Sequence, residues 1–178
     1  KKNFLNNDCF ELIKSLIKNN YKVIFRPHSE HYKRNKETLK KIRNEYKNNK
    51  NFIFDDSPEN INAMNKSKIL ITDISGISIE YMFSYRRPVI YFDHYQKIHN
   101  QEFSEIKIKA MEDQIKDLFG YSVDQENKDN LNVEKLIFEA EKKFEQNLVD
   151  LDEFIGRNFV KFENSLDKHV QFLTEKIN

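Results

Sequence analysis

The sequence predicts an α/β fold in which helices cover a parallel, Rossmann-like sheet. Three observations lead to this prediction. Helical and strand-like segments alternate along residues 1–93, the strand-like segments are continuous apolar runs, and polar residues follow each run directly. Continuous apolar runs are typical of strands buried on both faces, and their alternation with helices is typical of a parallel sheet.

The individual elements follow from spacing and from end signals. Apolar residues recur at helical spacing over 3–19, and a polar helix is predicted over 30–47. Ser57 is a predicted helix cap and Pro58 a first helical residue, with that helix ending near 66. Another helix follows Gly76. The predicted strands are "NNYKVIF" ending at Phe25, "NFIF" at 51–54, "KSKILIT", and "RRPVIYF" entered through Pro88.

The pattern changes beyond Asp93. Residues 94–130 are polar and irregular, with a helix predicted at 110–119 and ended by Gly120. Apolar spacing then predicts helices over 133–147 and 158–177. We therefore predict an α/β unit over 1–130 and C-terminal helices over 131–178 that pack on it.

Composition excludes several classes of protein. The chain has 178 residues, 38% of them hydrophobic and 15 of them Phe, which is enough to build a core and argues against disorder. A lone Cys9 excludes an internal disulfide and is predicted to be a core residue. No apolar run reaches the length of a membrane span and no signal peptide is visible. Because the chain opens at Lys1 within a helix, we expect a piece of a longer protein.

Charge is unevenly distributed. Residues 1–50 hold 14 Lys and Arg against 5 Asp and Glu, whereas the other 128 hold 16 against 24. The basic part, "YKRNKETLKKIRNEYKNNK", could face a phosphate polymer or lipid headgroups, although a solvated helix is the simpler interpretation. Since no nucleic-acid motif accompanies the charge, we predict no nucleic-acid partner.

Polar groups follow every predicted strand, at the edge where ligands of open parallel sheets bind. The four exits are Arg26-Pro27-His28-Ser29, Asp55-Asp56-Ser57, Thr72-Asp73-Ile74-Ser75-Gly76 and Asp93-His94. Turns and caps would explain any one exit. Four together favour a cleft.

The stretch "ILITDISGISIEY", residues 69–81, passes from strand to helix through a short turn. Unpaired amides at the helix start suit a phosphate, Gly76 allows close approach, and Ser75 and Ser78 add hydroxyl groups. Glu80 lies about one turn further, where a carboxylate could accept bonds from ribose hydroxyls. The alternative is structural: Ser75 caps the helix, Gly76 permits the turn, and Glu80 faces water.

Other chemistries lack support. His28 and His31 have no third metal ligand nearby in the sequence, so no metal site is predicted. Ser75 lacks the G-x-S-x-G context of a nucleophile elbow. His94 and His99 are predicted to be surface residues.

Two segments carry a family resemblance. "KVIFRPHS", and later "KSKILITDISGISIEYMFSYRRPVIYFD", resemble the C-terminal half of the CDP-glycerol glycerophosphotransferase family, the teichoic-acid and capsule-type polymerases with a GT-B fold. The resemblance covers roughly residues 10–95. It implies a bacterial protein on the cytoplasmic side, peripheral at the inner face of the membrane.

The resemblance also implies roles for residues. His28 matches a histidine implied to contact the donor phosphates, and Arg26 precedes it at the same strand end. The helix start matches the segment implied to hold the pyrophosphate, and these positions are Asp73, Ser75, Gly76, Ile77 and Ser78. Glu80 matches a position that is often acidic. Arg26 and His28 are therefore the predicted catalytic residues, with Pro27 holding the exit rigid.

The sequence departs from the family pattern at several positions. Ser29 replaces a more usual Pro, Gly76 a more usual Ser, and Lys66-Ser67-Lys68 a Ser-Asp approach. "KDLFGYSV", residues 116–123, is the candidate counterpart of a loop implied to help choose the donor. These departures leave the transferred group open.

The leading hypothesis is the donor-binding half of a transferase that moves a polyol phosphate from a CDP-linked donor to an anionic polymer or glycan. The resemblance implies no cofactor, because the CDP-linked donor is a substrate. It places the acceptor-activating base in the N-terminal half of the parent chain, so we expect this chain alone to be inactive. A UDP-sugar glycosyltransferase or 2-epimerase-like GT-B enzyme is the second hypothesis, and a non-catalytic docking module is the third.

Overall fold

The computed structural model describes residues 4–73, 75–92, 102, 105, 109–123, 132–159 and 174, without the side chains of residues 6 and 7. The helices are α1 (Phe4–Asn7), α2 (Cys9–Lys18), α3 (Ser29–Arg34), α4 (Lys36–Tyr46), α5 (Ile61–Lys66), α6 (Gly76–Tyr85), α7 (Met111–Phe119), α8 (Val133–Gln146) and α9 (Leu148–Asn158). The strands are β1 (Val23–Phe25), β2 (Phe52–Phe54), β3 (Leu70–Thr72), β4 (Val89–Tyr91) and β5 (Tyr121–Ser122).

All pairings between the described strands are parallel, which confirms the predicted α/β class. β1 pairs with β2, with Val23 opposite Phe52. β3 pairs with β4, with Leu70 opposite Val89, and β4 pairs with β5. These pairings form two small sheets rather than the single sheet that the sequence suggested. Side-chain packing links the sheets, because Val23 and Ile71 contact the same core cluster.

Two predicted helices have different boundaries in the structure, for local reasons. The polar helix predicted over 30–47 is divided at Asn35, whose side chain bonds to His31 and whose backbone leaves helical geometry. The helix predicted to start at Pro58 starts at Ile61 instead. The predicted Ser57 cap was wrong, since the Ser57 hydroxyl donates to the Asp55 carboxylate at 2.6 Å.

The C-terminal helices cover the sheet core. α8 contributes Val133, Leu136 and Ala140 to the cluster around Ile90. α9, which follows directly after Asn147 and was not predicted, contributes the fully buried Leu151 to the cluster around Tyr91. The helix predicted over 158–177 lies almost entirely outside the described residues, and the domain boundary near residue 130 stays a prediction.

Cys9 lies in the core cluster formed by α2, α4 and β2. Burial, and secondarily the charge of Asp8, raises the pKa of its thiol to about 12. The predicted core role of Cys9 is thereby confirmed. None of the described helices is both long enough and apolar enough to cross a membrane.

Candidate functional site

The end of β1 is tied to the loop after β2 by Arg26. Its guanidinium donates to Asp55 at 2.9 Å, to the Ser57 hydroxyl at 3.1 Å and to the Pro58 carbonyl at 3.1 Å. The Arg26 and Asp55 side chains are only 24% and 16% exposed. Arg26 therefore fixes two neighbouring strand exits, and its predicted contact with a donor phosphate stays a prediction.

Asp55 is held ionised by this arrangement. Burial alone would raise the pKa of Asp55, but hydrogen bonds from the Ser57 hydroxyl and amide, and then Arg26, outweigh it and hold the pKa below the usual range. A depressed folded-state pKa stabilises the fold above the unfolded-state pKa, and that stability is lost as pH falls through the folded-state pKa.

We expect Arg26→Gln to lower the free energy of unfolding at pH 7 by about 1.5–3 kcal/mol, the range for hydrogen bonds to charged groups. We also expect it to flatten the loss of stability below about pH 4, because the pKa of Asp55 would return toward its unfolded value. Urea denaturation at several pH values measures both effects. Arg34→Gln is the control, since Arg34 pairs with Glu30 while 78% exposed. Equal pH profiles for the two variants would contradict this account.

His28 is exposed at the start of α3 and acts as its cap. Its Nδ1 accepts the Glu30 amide hydrogen at 3.2 Å. An imidazole that accepts at Nδ1 carries its proton on Nε2 when neutral. No described group bonds to Nε2, which is therefore available as a donor to a ligand. His31 lies beside it, with ring centroids 6.4 Å apart, and contacts Asn35 through its own Nδ1 at 2.9 Å.

The start of α6 is open. Ser75 occupies the cap position, but its side chain makes no capping hydrogen bond. A Cβ added to Gly76 would meet nothing within 4 Å, and Gly76 does not have a positive φ. In the described part of the chain, the amides of Gly76 and Ile77 have no backbone acceptor. The purely structural interpretation, in which Ser75 caps the helix and Gly76 is needed for the turn, therefore fails at both positions.

The other residues predicted to bind the donor around α6 differ in burial and in hydrogen bonding. The Ser78 side chain is buried, and its hydroxyl donates to the Ser75 carbonyl at 2.5 Å, so its proton is directed to the backbone. Ile77 packs its side chain against the core. Glu80 is exposed one turn along the helix, and the partly buried Asp73 directly follows β3.

The structure thus describes two groups at strand exits. One consists of Arg26, Asp55 and Ser57 with His28 beside them, and the other is the start of α6. No described hydrogen bond or ion pair joins Arg26 or His28 to Ser75, Gly76 or Glu80. The fourth predicted exit, Asp93-His94, lies outside the described residues, so a cleft shared by all four stays a prediction. Among the described residues, no cluster of His, Cys, Asp and Glu could hold a metal ion.

Comparison with known families decides the assignment. The sequence profile described as "CDP-Glycerol:Poly(glycerophosphate) glycerophosphotransferase" matches residues 2–118. The chain belongs to this family. The match includes both groups at the strand exits, whereas β5, α8 and α9 lie beyond it. Membership in the glycerophosphotransferase family confirms the predicted resemblance and a transferase function of this general type. Neither the curated proteins nor the solved structures gave a match.

The contact of Arg26 with Asp55 and Ser57 could not be predicted from the sequence. Asp55 was predicted only as a polar exit residue and Ser57 as an exit residue and helix cap, yet both hold Arg26 in place. Their separation from Arg26 by about 30 positions carries no local pattern, so only the pairing of β1 with β2 reveals the contact.

Proposed function

We propose that this member of the glycerophosphotransferase family is the donor-binding half of a transferase. It would move a polyol phosphate such as glycerol phosphate from a CDP-linked donor to a cell-surface polymer or glycan. The observation that carries the proposal is the open start of α6, where Ser75 leaves the helix uncapped and Gly76 faces free space.

The open helix start suits a diphosphate for two reasons. Among the described residues the amides of Gly76 and Ile77 have no backbone acceptor, and the aligned peptide dipoles of this ten-residue helix favour an anion there. The Ser75 hydroxyl adds a further donor because it is not used for capping. Exposed Glu80 would accept hydrogen bonds from the ribose hydroxyls, and Asp73 would border the site from β3.

His28 and Arg26 would act from the neighbouring exit. The Nε2–H of His28 would donate to a phosphate oxygen while Nδ1 stays bound to the Glu30 amide, so the helix cap orients the ring. Arg26 would hold this edge in place through Asp55, so that its guanidinium stays beside the donor phosphates.

The reaction would proceed at the β-phosphorus of the donor. The acceptor hydroxyl oxygen attacks it, the bond to the bridging oxygen breaks, and CMP leaves with that bonding pair. The acceptor proton passes to a base that the family resemblance assigns to the N-terminal half of the parent chain. We therefore propose that the 178 residues bind the donor and do not transfer its glycerol phosphate unaided.

We expect His28→Asn to weaken CDP-glycerol binding by about tenfold, since one hydrogen bond to a charged group contributes about 1.5–3 kcal/mol. Asparagine is a favourable helix cap, so the variant keeps the cap of α3 and loses the Nε2 donor. Calorimetric titration of both chains with CDP-glycerol, CDP, UDP and UDP-GlcNAc measures the effect.

His31→Gln is the matched control, because it removes the adjacent imidazole without touching the cap of α3. An unchanged affinity in His28→Asn would exclude a donor contact by His28. Preference for uridine nucleotides would favour a sugar transferase instead. No binding of any nucleotide at millimolar concentration would contradict donor binding by this chain and favour a docking module.

A further inference from the structure

A shallow groove lies where α3, α4 and the end of β2 meet. It is lined by Tyr32, Lys36, Leu39, Lys40, Arg43 and Phe54, and its volume is about 230 Å³. We call it the α4 groove. No residue predicted from the sequence as catalytic or donor-binding lines it, yet its cationic side chains belong to the basic segment that the sequence analysis left unassigned.

The cations of the α4 groove form a row. Lys36, Lys40 and Arg43 are four and three positions apart, so they share one face of α4. The helical rise separates them by about 6 Å and about 4.5 Å along the axis. A flexible polyanion with regularly spaced phosphates can therefore place successive charges against successive cations of this row.

Two of these cations are not neutralised by the protein. Lys36 and Lys40 are exposed and make no ion pair within the described residues. The nearby Glu30 of α3 is already shared by Lys33 at 3.4 Å and Arg34 at 3.2 Å. Arg43 does have a partner, since it lies 2.7 Å from Asp56 and its guanidinium stacks 4.0 Å from the centre of the Phe54 ring. The Lys36 end of the row is thus the more positive.

The groove favours a polymer over a membrane surface. The apolar residues of α4, Leu39, Ile42 and Tyr46, are all buried in the core. A helix that lies in a bilayer interface inserts a free apolar face, and α4 has none to insert. A groove with exposed lysines and an aromatic side can instead accept a narrow chain in which phosphates alternate with short carbon units.

The α4 groove adjoins the Arg26 edge. Arg43 in the groove pairs with Asp56 at 2.7 Å, and the preceding residue, Asp55, accepts a hydrogen bond from Arg26 at 2.9 Å. A chain held in the groove would end beside the strand exit that carries His28.

We infer that the α4 groove binds the anionic, poly(glycerophosphate)-type chain of the acceptor through Lys36, Lys40 and Arg43. The identity of the polymer rests on the proposed function and on the family description. The groove would hold the polymer beside the donor site and take no part in the chemical step.

The test is a titration of the whole chain with synthetic poly(glycerol phosphate), with neutral polyglycerol of equal length as the reference ligand. We expect the double variant Lys36→Gln/Lys40→Gln to bind the polyanion about tenfold more weakly, because it removes two of the three cations in the row. The matched control is Lys135→Gln/Lys142→Gln, which removes the same charge from exposed positions on α8. We expect the control to lose less than about twofold.

Equal losses in the two double variants would show attraction to net charge and would overturn the inference. So would equal affinity for polyglycerol, or tighter binding to phosphatidylglycerol vesicles than to the polymer. CDP-glycerol titrations of the same proteins separate the two proposals. Unchanged donor binding with unchanged polymer binding in Lys36→Gln/Lys40→Gln would overturn the groove alone, whereas absent donor binding in the unmodified chain would overturn the proposed function.

Discussion

Gly76→Leu is expected to leave the protein folded and to weaken CDP-glycerol binding by at least about tenfold. An added Cβ at Gly76 meets no protein atom within 4 Å, so the fold can accept the side chain. The same free space is where a diphosphate would approach the amides of Gly76 and Ile77, so a leucine side chain there would block the ligand, and a tenfold loss corresponds to about 1.4 kcal/mol. Calorimetric titration gives the affinity, and urea denaturation gives the free energy of unfolding.

The chain supplies its own control for this prediction. Gly156 lies on α9, is exposed and likewise has nothing within 4 Å of an added Cβ. Gly156→Leu should therefore match Gly76→Leu in fold and differ from it in donor affinity. Gly156→Leu should also be stabilised slightly, by about 0.5–1 kcal/mol, because it replaces a glycine within a helix, whereas Gly76 is the first residue of α6. Equal donor affinity in the two variants would show that the start of α6 does not hold the diphosphate.

Much of the fold follows from local patterns. The apolar runs that become β1 to β4 are continuous, and each ends at a residue close to the predicted one, although β4 alone of these four strands is buried at every position. The start of α6 was likewise predicted, since a Ser-Gly pair between an apolar run and a helical pattern is a strong local signal.

The failures have a common cause, which is competition between local signals and distant partners. Serine is a favoured helix-cap residue, but the Ser57 hydroxyl instead donates to Asp55 and accepts from Arg26. These hydrogen bonds join the loop after β2 to the end of β1. β5 is only two residues long, so no periodicity can reveal it, and its pairing with β4 exists only after α7 has turned the chain. Such contacts depend on tertiary structure and are invisible in a window of sequence.

In the candidate site, too, some features follow from local sequence and others depend on tertiary structure. The residue types at the strand exits indicated phosphate chemistry, but whether Ser75 capped α6 depended on its side-chain geometry. In the α4 groove, the spacing of Lys36, Lys40 and Arg43 was present in the sequence. A solvated helix has the same spacing, and only the position of Tyr32 and Phe54 beside these cations makes a groove of it.

Gly120→Ala is expected to destabilise the fold by about 1–3 kcal/mol or more, because the added methyl group has no space in the core. An added Cβ would lie 2.3 Å and 2.8 Å from two ring carbons of Tyr91 and 2.9 Å from the Lys116 carbonyl oxygen. Tyr91 is only 2% exposed and belongs to β4, which pairs on both sides, so its ring has little freedom to move. The Lys143 ammonium also donates to the Gly120 carbonyl at 2.5 Å, which holds this turn against α8.

Urea denaturation of Gly120→Ala, with Gly156→Ala as the control, measures the loss. The double variant Gly120→Ala/Tyr91→Leu tests the cause, because removal of the ring should make the two effects non-additive by at least about 0.5 kcal/mol. Strict additivity would place the strain elsewhere. Gly120 lies in "KDLFGYSV", the candidate counterpart of a loop implied to help choose the donor. The variant therefore also tests whether Gly120 affects the choice of nucleotide or only the packing of the core. We expect Gly120→Ala, at temperatures where it is folded, to keep the preference between CDP and UDP, because its Cβ is directed into the core and not toward a ligand.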